Sequence, residues 1–185
     1  MALLTLADAK AQLNLTSDAE DAELQVYVEA VTEVVEFFIG PVEPRQVTEQ
    51  HDAGGGRPVL VLRTSPVLSV TSVGPVLTGG VTYPVDGLAV DPLTGQVRRR
   101  DGGWFCGLLE VVVQAGRASV SPTINLAARM LVQHLWRTQR AGRRGAIAGG
   151  GDDYSVSEPI PGLGYAVPYR VLELLQPYRL PPGVA

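Results

Sequence analysis

"SDAEDAELQVYVEAVTEVVEFFIGP", residues 17–41, decides how the rest of the chain is read. Ser17 and Glu20 stand at the S-x-x-E spacing of a capping box, and Asp18 and Asp21 add negative charge at the positive end of a helix. Leu24, Val28, Val31, Val35 and Phe38 recur at alternating steps of four and three, the period of one buried helix face. Glu29, Glu33 and Glu36 take other faces, and Gly40–Pro41 stops the run. The spacing predicts a helix near 18–39.

Before it, "TLADAKAQLNL" offers Thr5 as N-cap with Asp8 three residues on, and a break at Asn14–Thr16. After it, from about 42 to 117, the pattern turns to β. "RPVLVLRTSPVLSVTSVGPV" is valine-rich and broken by proline, as short strands are. Strands are expected at roughly 46–51, 58–63, 67–74, 81–85, 95–99 and 109–115, with "HDAGGGRP", "LTGG", "DPLTG" and "RDGG" as turns. Helix returns at Ser121–Pro122, an N-cap followed by proline in the first helical position. Ile124, Ala127, Ala128, Leu131, Leu135 and Trp136 give it a broad apolar face, while Arg129, Arg137 and Arg140 look elsewhere.

The fold expected is therefore α+β: a helical bundle from both chain ends, with an inserted antiparallel β module and an extended C-terminal arm. Its boundaries are a core over 1–140 with the insertion at about 42–117, a flexible glycine-rich loop over 141–159, and a docking arm over 160–185. A turn of helix is expected near 168–176, between Pro168 and Pro177.

Composition narrows the function classes. The net charge of −4 leaves no large basic footprint for nucleic acid. The charge is uneven: residues 1–60 hold 11 acidic and 3 basic side chains, residues 61–185 hold 8 and 12. Opposite ends of the chain can attract each other, within one subunit or between two. A 45% hydrophobic and 18% charged make-up points to surface buried in an assembly. Cys106 is alone, so no internal disulfide and no thiolate metal cluster is expected. The opening "MALLTLADAK" lacks the basic start of a signal peptide, and no apolar run reaches the ~18 residues of a membrane span, so a chain made in soluble form is expected, without a membrane partner.

No catalytic constellation is legible, and no cofactor or metal is expected. The glycine runs at 53–57 and 149–153 do not continue to G-K-[ST], and "GLGYAV" has Val167 where a dinucleotide loop needs glycine. His51 and His134 lie in separate elements, where a surface or core-edge role is the better reading. Ser121 is explained by its cap, with no nucleophile elbow around it. Arg98–Arg100 and Arg137–Arg144 form the basic clusters, which fit a solvated surface or an acidic neighbour better than sequence-specific DNA.

Taken in order, "LLTLADAKAQLNL" (3–15), "SDAEDAELQVYVEAVTEVVEFFIG" (17–40), "LRTSPVLSVTSV" (62–73), "VVVQAGRASVSPTINLAARMLVQHLWRTQR" (111–140) and "YAVPYRVLELLQPYR" (165–179) resemble the head-tail connector (head-completion adaptor) proteins of tailed bacteriophages. That resemblance implies a structural virion protein, not an enzyme. It implies a homo-oligomeric ring, typically a dodecamer, between the portal protein and a downstream neck or tail protein. The ring would sit in the virion neck after assembly in the host cytoplasm, with DNA passing through an axial channel without specific binding. It also implies that the C-terminal arm engages the portal. Leu163, Tyr165, Val167, Pro168, Tyr169, Leu172, Leu175 and Tyr178 are its expected anchors, aromatic residues being favoured in interface cores. The alternative is that the tail covers its own core. Glu29, Glu33 and Glu36 meeting Arg129, Arg137 or Arg140 of the next subunit are the expected charge contacts around the ring. Competing readings are another neck protein, such as a stopper or tail terminator, and a DNA-binding regulatory protein using the arginine clusters.

Overall fold

The structure is a computed structural model that describes residues 2–141 and 167–180, with side chains undescribed at 139–141. Apart from its first residue, the expected loop at 141–159 lies outside the described residues, as do residues 160–166 and 181–185 of the arm, Leu163 and Tyr165 among them, and the Arg140 side chain. The chain divides into two compact units, one built on Ile39–Ser119 and one on Ala2–Phe38 with Val120–Tyr178.

The helical unit contains α1 (Leu6–Leu13), α2 (Asp21–Ile39), α3 (Pro122–Ala141) and α4 (Tyr169–Leu175), the last followed by a 3-10 turn at Gln176–Tyr178. The α1 capping box forms as its sequence predicts. The Asp8 N–H donates to Thr5 Oγ1 at 3.1 Å, and the Asp8 carboxylate accepts from the Thr5 N–H at 3.4 Å. Asn14, left-handed at φ 56, closes the helix.

The helix expected near 18–39 begins at Asp21. Ser17 Oγ accepts from the Ala19 N–H at 3.2 Å. The Lys10 ammonium reaches Asp18 at 2.5 Å and Asp21 at 2.8 Å across the turn between α1 and α2. Past that point the stripe behaves as its period requires: Leu24, Val28, Val31 and Val35 are buried, joined by Val34 and Ile39. On α3 all six expected core residues are buried, and Trp136 meets Tyr27 of α2 edge-to-face at 5.5 Å. Each large apolar side chain so buried contributes about 1.5–3 kcal/mol.

The β unit contains two antiparallel sheets. β1 (Arg45–Arg57), β6 (Phe105–Ala115) and β3 (Val67–Pro75) lie in the order β1-β6-β3; β2 (Val59–Val61), β5 (Gln96–Arg99) and β4 (Leu88–Val90) lie in the order β2-β5-β4. Central β6 alternates strictly at its end: Leu109, Val111, Val113 and Ala115 are fully buried and meet Phe105, Val73, Val97 and Leu60 in one core. Arg45 pairs with Ala115, so the module leaves and re-enters the chain at neighbouring points. The returning segment is bonded to the outgoing one: the Arg117 N–H donates to Val42 O at 3.1 Å and its guanidinium to Ile39 O at 3.0 Å.

Two expectations here are corrected. The glycine run 53–57 is not a turn; β1 continues through it to Arg57, with its register to β6 interrupted between Ala53 and Arg57. Gly56 takes φ +79, and a Cβ there would lie 2.9 Å from the Trp104 ring, so glycine is what allows the strand to pass. Nor is 81–85 a strand. Tyr83 makes one isolated bridge to Val73 and turns inward, accepting from the Cys106 N–H at 2.9 Å and packing on Phe105. Pro84 offers no N–H to extend the ladder, and pairing resumes only at Leu88.

No helix among the described residues is long and apolar enough to cross a membrane.

Candidate interaction surfaces

The expected arm divides by face. Val167, Val171 and Leu175 are spaced by four and buried at 2%, 0% and 2% exposure, with α4 packed on α3 of its own unit. Tyr178 is half-buried, its hydroxyl 2.7 Å from Ser121 Oγ at the start of α3. Pro168 caps α4, and Pro168 and Leu172 are half-buried. Among the expected anchors in the described residues, only Tyr169 points fully outward, at 69% exposure. Val167 and Leu175 are therefore used within the chain. Val171, which no sequence expectation singled out, belongs with them, and its signal was the i, i+4 spacing.

The six expected charge contacts divide as well. Arg129 is taken up internally: its guanidinium donates to Asp8 Oδ1 at 2.6 Å and to Asn125 Oδ1 at 2.7 Å. The Thr5 hydroxyl and then Arg129 hold the Asp8 carboxyl below the usual range, burial opposing them. Asn125 in turn donates to Leu3 O at 2.7 Å, so α1 and the residues before it are tied to α3. Glu36 is half-buried, whereas Glu29, Glu33 and Arg137 are exposed. Glu29 accepts from Gln25 one turn earlier, at 2.9 Å.

The most enclosed polar cluster lies in the β unit. Glu49, on the inward face of β1, is 7% exposed. Its carboxylate accepts from the backbone N–H groups of Arg63 and Thr64, both at 2.8 Å, and lies 3.0 Å from His51 Nε2. Burial alone would raise its pKa, but the hydrogen bonds from His51, Thr64 and Arg63 more than offset that and hold it at about 2. His51 thus sits at the core edge as a partner of Glu49. The cluster fastens the turn after β2 to β1; it has no nucleophile, and no group of three metal-ligating side chains occurs among the described residues.

The family described as Head completion protein matches residues 2–180. The chain belongs to that family. Solved structures share the fold of this head completion protein. A chain from the neck of an empty gene transfer agent particle, computed with C6 symmetry, superposes with a TM-score of 0.65 at 20% identity, over 99% of this chain and 92% of that one. A chain from the virion of a native gene transfer agent particle gives 0.64 at 18% identity, over 99% and 92%. One from the neck of a native particle, computed with C12 symmetry, gives 0.60 at 17%, over 95% and 90%. No curated protein matches the chain. The α+β architecture of the head completion protein, β module included, is thus common to chains that share barely a fifth of its residues.

Proposed function

We propose that this head completion protein is a structural ring adaptor of the virion neck, joining the portal to the next neck or tail protein and leaving a channel for DNA. The observation that carries the proposal is the family match across 2–180, nearly the whole chain. The likeness to chains of symmetric necks supports a ring. The net charge of −4 supports a conduit that does not grip the passing duplex. In this reading the arm contacts the portal through Tyr169 and through Leu163 and Tyr165, while Val167, Val171 and Leu175 hold α4 in place on α3.

Imaging the neck of particles that encode the chain tests this. A ring of this fold directly below the portal is the expected result, and density for it at the tail end of the neck would reassign it as a stopper or tail terminator. Tight, salt-sensitive duplex binding by the purified chain would overturn the adaptor in favour of a DNA-binding protein.

A further inference from the structure

The helical unit carries two outward faces that its own core does not use. On α2, Val26 (64% exposed), Glu29, Glu33 and Phe37 (72% exposed) share the side opposite the buried stripe. On α3, Leu126 (47% exposed) and Arg137 share one side, with Gln133 between them accepting from the Gln12 amide of α1 at 2.8 Å. Two large apolar side chains flanking two carboxylates on a single helix face are an unusual choice for permanent contact with water. Singly exposed apolar residues need no explanation, but apolar groups rimmed by charge mark a contact surface.

We infer that the α2 face of one copy docks antiparallel on the α3 face of a second copy, Phe37 meeting Leu126 while the carboxylates, Glu29 nearest, meet Arg137. This rests on the ring proposed above and names its contact. Three observations select a second copy as the occupant. The faces are complementary in charge, acidic on α2 and basic on α3. They match in length, because Val26 and Phe37 are eleven residues apart, as are Leu126 and Arg137, about 16 Å along each helix. They are also different patches, so their contact is head-to-tail, the kind that closes a ring. Pairing α2 with α2 would instead set Glu29 and Glu33 against their own copies. The interface is thus apolar at the Phe37–Leu126 end and charged toward the other, where sequence alone suggested only charge.

The test replaces Phe37 with a photoreactive phenylalanine analogue in the full chain, mixes light and heavy isotope copies during particle assembly, and maps cross-links by mass spectrometry. Cross-links from position 37 to the α3 residues around Leu126, joining light to heavy chains, are expected. Cross-links confined to a single chain, for example to residues 142–166, or reaching only a different protein, overturn the interface but leave the ring intact. A wild-type chain absent from the particles overturns the ring itself. Phe37→Ser gives a second readout. With Phe37 so exposed the variant should melt as the wild type does, yet enter particles at least about tenfold less often. Normal incorporation of Phe37→Ser would count against the contact. Charge reversal adds a third: Arg137→Glu should impair assembly, and Glu29→Arg with Glu33→Arg should restore it.

Discussion

Glu49→Gln should loosen the β unit, and by an amount that depends on pH. The native carboxylate accepts two backbone N–H bonds at 2.8 Å and faces His51 at 3.0 Å, all on a side chain only 7% exposed. Its pKa of about 2 in the folded chain compares with 4.5 for an ordinary glutamate. At about 1.4 kcal/mol per pH unit that gap corresponds to about 3 kcal/mol. Screening by the solvent that reaches the turn lowers this to about 2 kcal/mol. The amide fares worse than mere loss of charge, because its NH2 is aimed at groups that are themselves donors. A buried donor left unpaired costs about 1–3 kcal/mol.

The sign follows from the direction of the shift. A folded-state pKa held below the unfolded value stabilises the protein above the unfolded value, and that stabilisation is lost as pH falls from about 4.5 through about 2. Denaturant unfolding of wild type and Glu49→Gln should therefore differ by about 2 kcal/mol at pH 7 and converge as pH falls through that window. Native-state hydrogen exchange places the effect, since the Arg63 and Thr64 amides should lose protection first. A difference below about 0.5 kcal/mol at pH 7, or one that does not shrink on acidification, would refute the fastening role of Glu49.

Two substitutions separate the faces of α4. Leu175→Ala removes a side chain at 2% exposure and should destabilise the helical unit by about 3 kcal/mol. Tyr169→Ala, at 69% exposure, should leave the melting temperature unchanged while reducing completed particles, and an unchanged particle titre would remove Tyr169 from the portal contact. In the β unit, Gly56→Val forces a branched side chain into φ +79 and against Trp104, and should destabilise by about 2 kcal/mol or more with a shift in Trp104 fluorescence. An unperturbed spectrum and unfolding curve would show that the β1 irregularity tolerates any residue.

Local signals were legible and non-local ones were not. The Thr5 cap, the α2 and α3 stripes, and Pro122 at the start of α3 each depend on residues within a few positions of one another, where helix periodicity and capping chemistry decide. α2 starts at Asp21 rather than near residue 18, and the Lys10 ion pairs to Asp18 and Asp21 join that start to the preceding helix, a contact its own capping signal does not carry. Arg129 read as an outward charge because its partner Asp8 lies 121 positions earlier, and only folding α1 onto α3 brings them together. Glu49 carried no sequence signal at all. Its partners are backbone N–H groups of Arg63 and Thr64, 14 and 15 positions away, which any residue would present. The glycine run misled in the other direction, since glycine marks a turn and a β-bulge equally well, and the sheet partner makes the choice.

The way the β module closes explains how a helical protein can carry it. Its first and last strands pair at Arg45 and Ala115, and Gly116 donates to Pro66 O at 2.9 Å. The Arg117 N–H and guanidinium then bond the outgoing segment at Val42 and Ile39. Such an insertion asks of its host only two backbone points side by side, as in a short loop between helices. Gly116 is held to this crossing tightly: it takes φ +124, and a Cβ there would meet Glu43 O at 2.6 Å. Gly116 and Arg117 are thus set by closure rather than by strand pairing. A module that seals its own base in this way can vary in its outer loops without opening the closure.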